Sequence, residues 1–148
     1  MLTSLKVIDH IHTDTKIIDE ISLSYEDRFI RRKKLIANNG TEFLVNLEET
    51  KSVDENYYFK LDSGEAIKVK SKEENLIQIT GDNIKQIIWH IGNRHLPCQI
   101  EESRILIQED SVIKEMIIKL GGNVTNVVEK FKPEGGAYGM GRTHSHQH

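Results

Sequence analysis

Only one cysteine, Cys98, stands among the 148 residues. No disulfide can therefore close within the chain, a pattern that fits a reducing cytosol. Following Pro97, it reads as a small core residue rather than a ligand. No run approaches about 18 consecutive apolar residues, so no spanning helix is expected. Met1 to Ile8 is a short amphipathic run broken by Asp9, unlike a signal peptide. A cytoplasmic protein without membrane attachment is the expectation. Basic excess is missing too: the net charge is −3, which argues against a nucleic-acid partner. The one concentrated basic run, Arg31-Arg32-Lys33-Lys34, lies between Phe29-Ile30 and Leu35-Ile36 and reads as the solvated part of a strand or hairpin. Catalytic signatures are also lacking, with no glycine-rich phosphate loop and no nucleophile elbow. The acidic pairs Glu48-Glu49, Glu73-Glu74 and Glu101-Glu102 are sequence neighbours, whose side chains point different ways rather than converging. The chain does not read as an enzyme.

What is present is histidine, and it is unevenly placed. Three of the seven histidines, His144, His146 and His148, fall within the last five residues. Neutral imidazole is the commonest protein ligand for divalent transition metals. Alternate spacing sets successive rings on one side of an extended chain, about 6–7 Å apart. The preceding Gly135-Gly136-Ala137-Tyr138-Gly139-Met140-Gly141 is too rich in glycine for a packed element, so a flexible lead is expected.

The rest of the chain divides into a β-rich half and a mixed half. Ile21 to Tyr25 alternates apolar and polar residues as a half-buried strand does. Asn38-Asn39-Gly40 is a turn between Lys34–Ala37 and Phe43–Leu47, and Asp62-Ser63-Gly64 joins Tyr57–Leu61 to Ala66–Lys70. These short strands predict a small all-β domain over residues 1–72. Residues 73–132 differ. A strand at Leu76–Thr80 is followed by Ile84, Ile87, Ile88 and Ile91 at helical spacing, with Asp82 or Asn83 placed as N-cap. Pro97 blocks continuation. Strands at Cys98–Glu101 and Arg104–Gln108, a helix over Ser111–Leu120 stopped by Gly121-Gly122, and a last strand over Val124–Phe131 complete the order. The sequence β-α-β-β-α-β is the ferredoxin-like arrangement. The fold class is thus α+β: an N-terminal all-β domain, a ferredoxin-like C-terminal domain, and a histidine-rich tail over 133–148. At 37% hydrophobic and 29% charged residues the core is limited, which favours pairing with a second copy.

The remaining histidines differ in interest. His10 and His12 have no third ligand nearby in sequence and read as exposed. His90 and His95 bracket the end of the first helix. On physical grounds His90 can pack beside Trp89, and His95 can favour the negative end of the helix dipole. A single imidazole holds a metal poorly, but two-fold symmetry brings the same residue to both sides of an axis.

The stretch Trp89-His90-Ile91-Gly92-Asn93-Arg94-His95-Leu96-Pro97 resembles the aromatic-His-x-Gly-Asn-Arg-His signature of the UreE family of urease accessory proteins. Phe131-Lys132-Pro133-Glu134-Gly135-Gly136-Ala137-Tyr138-Gly139, followed by the histidine tail, is similar to that family's C-terminus, and the two-part organisation agrees. The resemblance implies a homodimeric nickel metallochaperone, which binds Ni2+ and delivers it for assembly of the urease active site, with Zn2+ or Cu2+ as substitutes. It implies that His95 of each protomer forms the metal site at the dimer interface, that His144, His146 and His148 add ligands or storage, and that His90 is a possible secondary ligand. Residues 73–132 would bind metal and dimerise; residues 1–72 would bind partners. Those partners are the maturation GTPase UreG and the urease apoprotein complex. No histidine lies between His95 and His144, so an accessory site in that stretch is not expected. The alternatives are a metal-independent adaptor in a maturation complex and a general zinc or copper buffer.

Overall fold

The computed structural model describes residues 1–135. The chain divides into two compact units, one spanning Met1–Lys72 and the other beginning at Glu73.

The first unit is a six-stranded sheet. Its strands are β1 (Thr3–Ile8), β2 (Ile17–Leu23), β3 (Phe29–Ile36), β4 (Glu42–Ser52), β5 (Tyr58–Leu61) and β6 (Ala66–Ser71), in the spatial order β2-β6-β5-β1-β4-β3. Alternation places Ile21 and Leu23, Phe43, Val45 and Leu47, Phe59 and Leu61, and Ile67 and Val69 in one buried cluster. The Phe43 and Phe59 rings meet at its centre, with centroids 5.6 Å apart. Both expected turns form: Gly40 and Gly64 each adopt φ of +94°, the left-handed conformation that those turns need and that glycine reaches at little cost. Arg31 to Lys34 lie exposed along the edge strand β3, where charge discourages pairing with another sheet.

Some of the topology departs from the hairpin pattern. Thr3–Ile8, read from sequence as an amphipathic run only, is a full strand paired antiparallel to β5 and parallel to β4. Strand β2 starts at Ile17 and runs parallel to β6. Parallel neighbours are distant in sequence, so no turn signal announces them. Asp19, on β2, supplies a long-range tie. Its carboxylate accepts from the backbone N–H groups of Glu20, Asn39 and Thr41, at 2.7, 3.1 and 3.4 Å.

The second unit contains β7 (Glu73–Thr80), α1 (Ile84–Asn93), β8 (Gln99–Ile100), β9 (Ile105–Gln108), α2 (Ser111–Lys119) and β10 (Asn123–Lys130), with sheet order β10-β7-β9-β8. This is the β-α-β-β-α-β fold expected from sequence, with both helices contributing to one core. Ile77, Ile79, Ile105 and Ile107 from the sheet pack with Ile87 and Ile91 of α1 and Ile113 and Ile117 of α2. Fully burying one such side chain contributes roughly 1.5–3 kcal/mol. Asp110 caps α2 by accepting from the N–H groups of Val112 and Ile113. Asn83 stands at the N-cap position of α1 but makes no cap hydrogen bond; its amide instead donates to the Leu120 carbonyl at the end of α2. Gly122 sits where a Cβ would lie 2.7 Å from both Ile87 and Ile117, so the helices pack directly against its backbone. Among the described residues, no helix is long and apolar enough to cross a membrane.

Candidate metal centre

The C-terminus of α1 is built by residues 91–96. Ile91 is buried in the core and anchors the last turn. Beyond it, the His95 N–H donates to the Gly92 carbonyl at 2.9 Å, and the Leu96 N–H donates to the Ile91 carbonyl at 3.3 Å. These two bonds form a Schellman motif, and Leu96 packs on the same apolar cluster as Ile91. Such a motif requires the first of the two donor residues to be left-handed, normally a glycine. Here that residue is His95, with φ of +58°. A side chain in this conformation costs about 1–2 kcal/mol relative to glycine. The backbone therefore turns sharply under an imidazole exposed at the helix end.

The neighbouring aromatic pair is also defined. Trp89 is 64% exposed, and its ring meets that of half-buried His90 edge-on, with centroids 5.1 Å apart. The Arg94 guanidinium folds back to donate to the His90 carbonyl at 3.2 Å. His90 and His95 thus occupy one helix terminus, as the sequence suggested, with His95 on the terminal loop and His90 in the last turn.

The chain that follows β10 returns to this terminus. Phe131 is fully buried. Lys132 N–H donates to the Gln99 side-chain carbonyl at 2.8 Å, and Glu134 N–H donates to the Cys98 carbonyl at 2.9 Å. The root of the C-terminal segment is therefore tied three residues beyond His95. Neither bond is legible in the sequence, because each depends on the register of the closing strand. Cys98 is packed against the core, as expected, and burial, with the adjacent Glu134 carboxylate, pushes its thiol pKa up. A protonated thiol is a poor metal ligand.

A charged network stiffens the adjoining sheet. Arg104 donates to both Glu129 oxygens at 2.7 Å, to the two Glu101 oxygens at 3.0 and 3.2 Å, and to Gln78 at 2.9 Å. Arg104 holds the Glu129 carboxyl below its ordinary range. These carboxylates are engaged by a guanidinium and form no metal cage.

Among the described residues, no group of three or more His, Cys, Asp or Glu side chains converges. The candidate ligands His144, His146 and His148 lie outside the described residues. What the described terminus presents is one exposed imidazole on a strained turn, beside the root of the segment that bears the other three.

The family model described as the UreE urease accessory protein C-terminal domain matches residues 74–148. A urease accessory protein UreE from Ruegeria pomeroyi is 50% identical over 130 residues, spanning 88% of this chain and 87% of its own length. One from Rhodobacter capsulatus is 47% identical, spanning 88% and 83%. One from Azorhizobium caulinodans is 37% identical over 158 residues, spanning 100% and 76%. The relatives are named as accessory proteins to an enzyme rather than as enzymes.

Proposed function

Since the chain belongs to the UreE family of urease accessory proteins and so to the machinery of urease maturation, we propose that it is a homodimeric nickel metallochaperone. In this reading His95 of one protomer meets His95 of its partner across a two-fold axis and holds one Ni2+ between them. His144, His146 and His148 supply further ligands, with His90 as a secondary candidate. Residues 73–132 bind metal and dimerise, residues 1–72 meet UreG and the urease apoprotein complex, and residues 133–148 bring the tail ligands to the ion.

The observation that supports this most directly is His95 at a left-handed position where glycine would be more stable. Strain of this kind is kept where the side chain has a task. The tied root gives the second support. Eight residues separate Gly135 from His144, so nine chain steps span at most about 32 Å, enough to reach His95 of either protomer from a starting point beside Cys98.

The chemistry suits transfer rather than storage. Nickel(II) accepts imidazole nitrogens at variable coordination number, and a site of few ligands leaves positions open. A receiving protein can bind through those positions before the donor ligands depart. Isothermal titration with Ni2+ tests the assignment, with oligomeric state followed by ultracentrifugation. His95→Ala is expected to lose the shared ion and keep the dimer. Deletion of residues 144–148 is expected to lower the number of ions bound. Unchanged nickel binding by His95→Ala would overturn the assignment.

A further inference from the structure

The loop that follows β1 holds a pair of histidines that the function above leaves unused. His10 Nδ1 lies 2.7 Å from Asp9 Oδ1, with both side chains well exposed, at 86% and 65%. An ionised carboxylate can only accept, so Nδ1 is the donor of this bond and Nε2, the ring's other nitrogen, faces away from Asp9. This is the carboxylate–histidine arrangement that fixes the tautomer and orientation of metal-ligating imidazoles. His12 follows two residues later, and its carbonyl accepts from the Thr15 N–H at 3.0 Å, closing the turn. His10 and His12 both line a concavity of about 450 Å³, together with Lys6, Tyr57 and Lys60.

We propose that His10 and His12, with Asp9 as the positioning residue for His10, form a second and weaker site for a divalent transition-metal ion in the N-terminal unit. Two imidazoles bind the ion and water completes its coordination, since no third protein ligand converges there among the described residues. Lys6 and Lys60 bear on selectivity. Their positive charge disfavours hard cations held by charge alone, such as Ca2+ and Mg2+. Copper(II), nickel(II) and zinc(II) gain from bonding to imidazole nitrogen and tolerate such surroundings better. The site is open and labile, and it stands independently of the assignment of His95.

The test uses the full-length protein carrying His90→Gln, His95→Gly, His144→Gln, His146→Gln and His148→Gln, so that the ligands of the proposed function are gone. Cu2+ serves as the probe, because a given nitrogen site binds it most tightly among these ions. Its electron paramagnetic resonance spectrum reports coordinated nitrogen. One Cu2+ per chain with imidazole nitrogen ligation is expected. His10→Gln or His12→Gln in that background should each weaken binding at least tenfold, and Asp9→Asn by about tenfold. Absence of nitrogen-ligated copper in the background protein would overturn the proposal. So would copper binding that persists unchanged through His10→Gln and His12→Gln. Undiminished affinity in Asp9→Asn would remove Asp9 from the site.

Discussion

The Glu134 N–H donates to the Cys98 carbonyl at 2.9 Å, so the segment leading to the last three histidines starts beside the loop that carries His95. Gln99 doubles this tie by accepting from Lys132 N–H, while its own amide donates to Glu101 at 2.7 Å. Gln99→Ala removes the acceptor of the Lys132 N–H. Hydrogen exchange should accelerate at Lys132 and Glu134, with a stability loss of about 1 kcal/mol. Protection unchanged at both amides would show that the segment is held by something other than Gln99.

The left-handed turn at His95 separates ring from backbone. His95→Ala and His95→Gly both remove the imidazole, but only glycine relieves φ of +58°. The glycine variant should be about 1 kcal/mol more stable than the alanine variant by chemical denaturation. Neither should bind the shared nickel ion. Equal stabilities would mean that the terminus relaxes to another conformation in the alanine variant.

These two features bound what a sequence can show. The second unit is legible almost throughout, because its helices bury Ile87 and Ile91, and Ile113 and Ile117, at helical spacing, and because Pro97 and Gly121 mark their ends. The first unit is legible where a turn such as Asn38-Asn39-Gly40 joins adjacent strands. It is obscure where β1 meets β4 and β2 meets β6, since parallel pairing leaves no local mark. The signature and the place at the helix end single out His95. Its strained backbone has no sequence mark, because the motif that imposes it is usually announced by glycine. Asn83 shows the converse: the cap position is readable, but its amide is drawn to Leu120 by tertiary packing.

Asp19 gives the acid sensitivity of the first unit a defined source. Burial pushes its carboxyl pKa up, but hydrogen bonds from the Thr41 side chain and from the backbone of Glu20, Asn39 and Thr41 outweigh that and hold it below 3.8. A carboxyl lowered in the folded state contributes stability that is complete above the unfolded value and is lost as pH falls through the folded one. Asp19→Ala, which removes the acceptor of those partly buried donors, should destabilise the unit by roughly 1–3 kcal/mol at neutral pH. Urea denaturation followed below pH 4 should show a shallower pH dependence in the variant than in the parent. Parallel pH profiles would remove Asp19 as the source.

Cys98 is expected to be inert toward both alkylation and metal. With burial and Glu134 raising its pKa, iodoacetamide should modify it more slowly at pH 7.5 in the folded protein than in urea. Glu134→Gln should speed the folded reaction modestly. Cys98→Ser should leave nickel stoichiometry unchanged; a lost ion would make the thiol a ligand.

The central claim concerns an ion shared between two copies of His95, and stoichiometry tests it most directly. Native mass spectrometry of the untagged protein titrated with Ni2+ should show a dimer whose first and tightest ion binds at one per two chains, and that ion should vanish in His95→Gly. A monomer, or independent binding of one ion per chain that survives His95→Gly, would contradict the account.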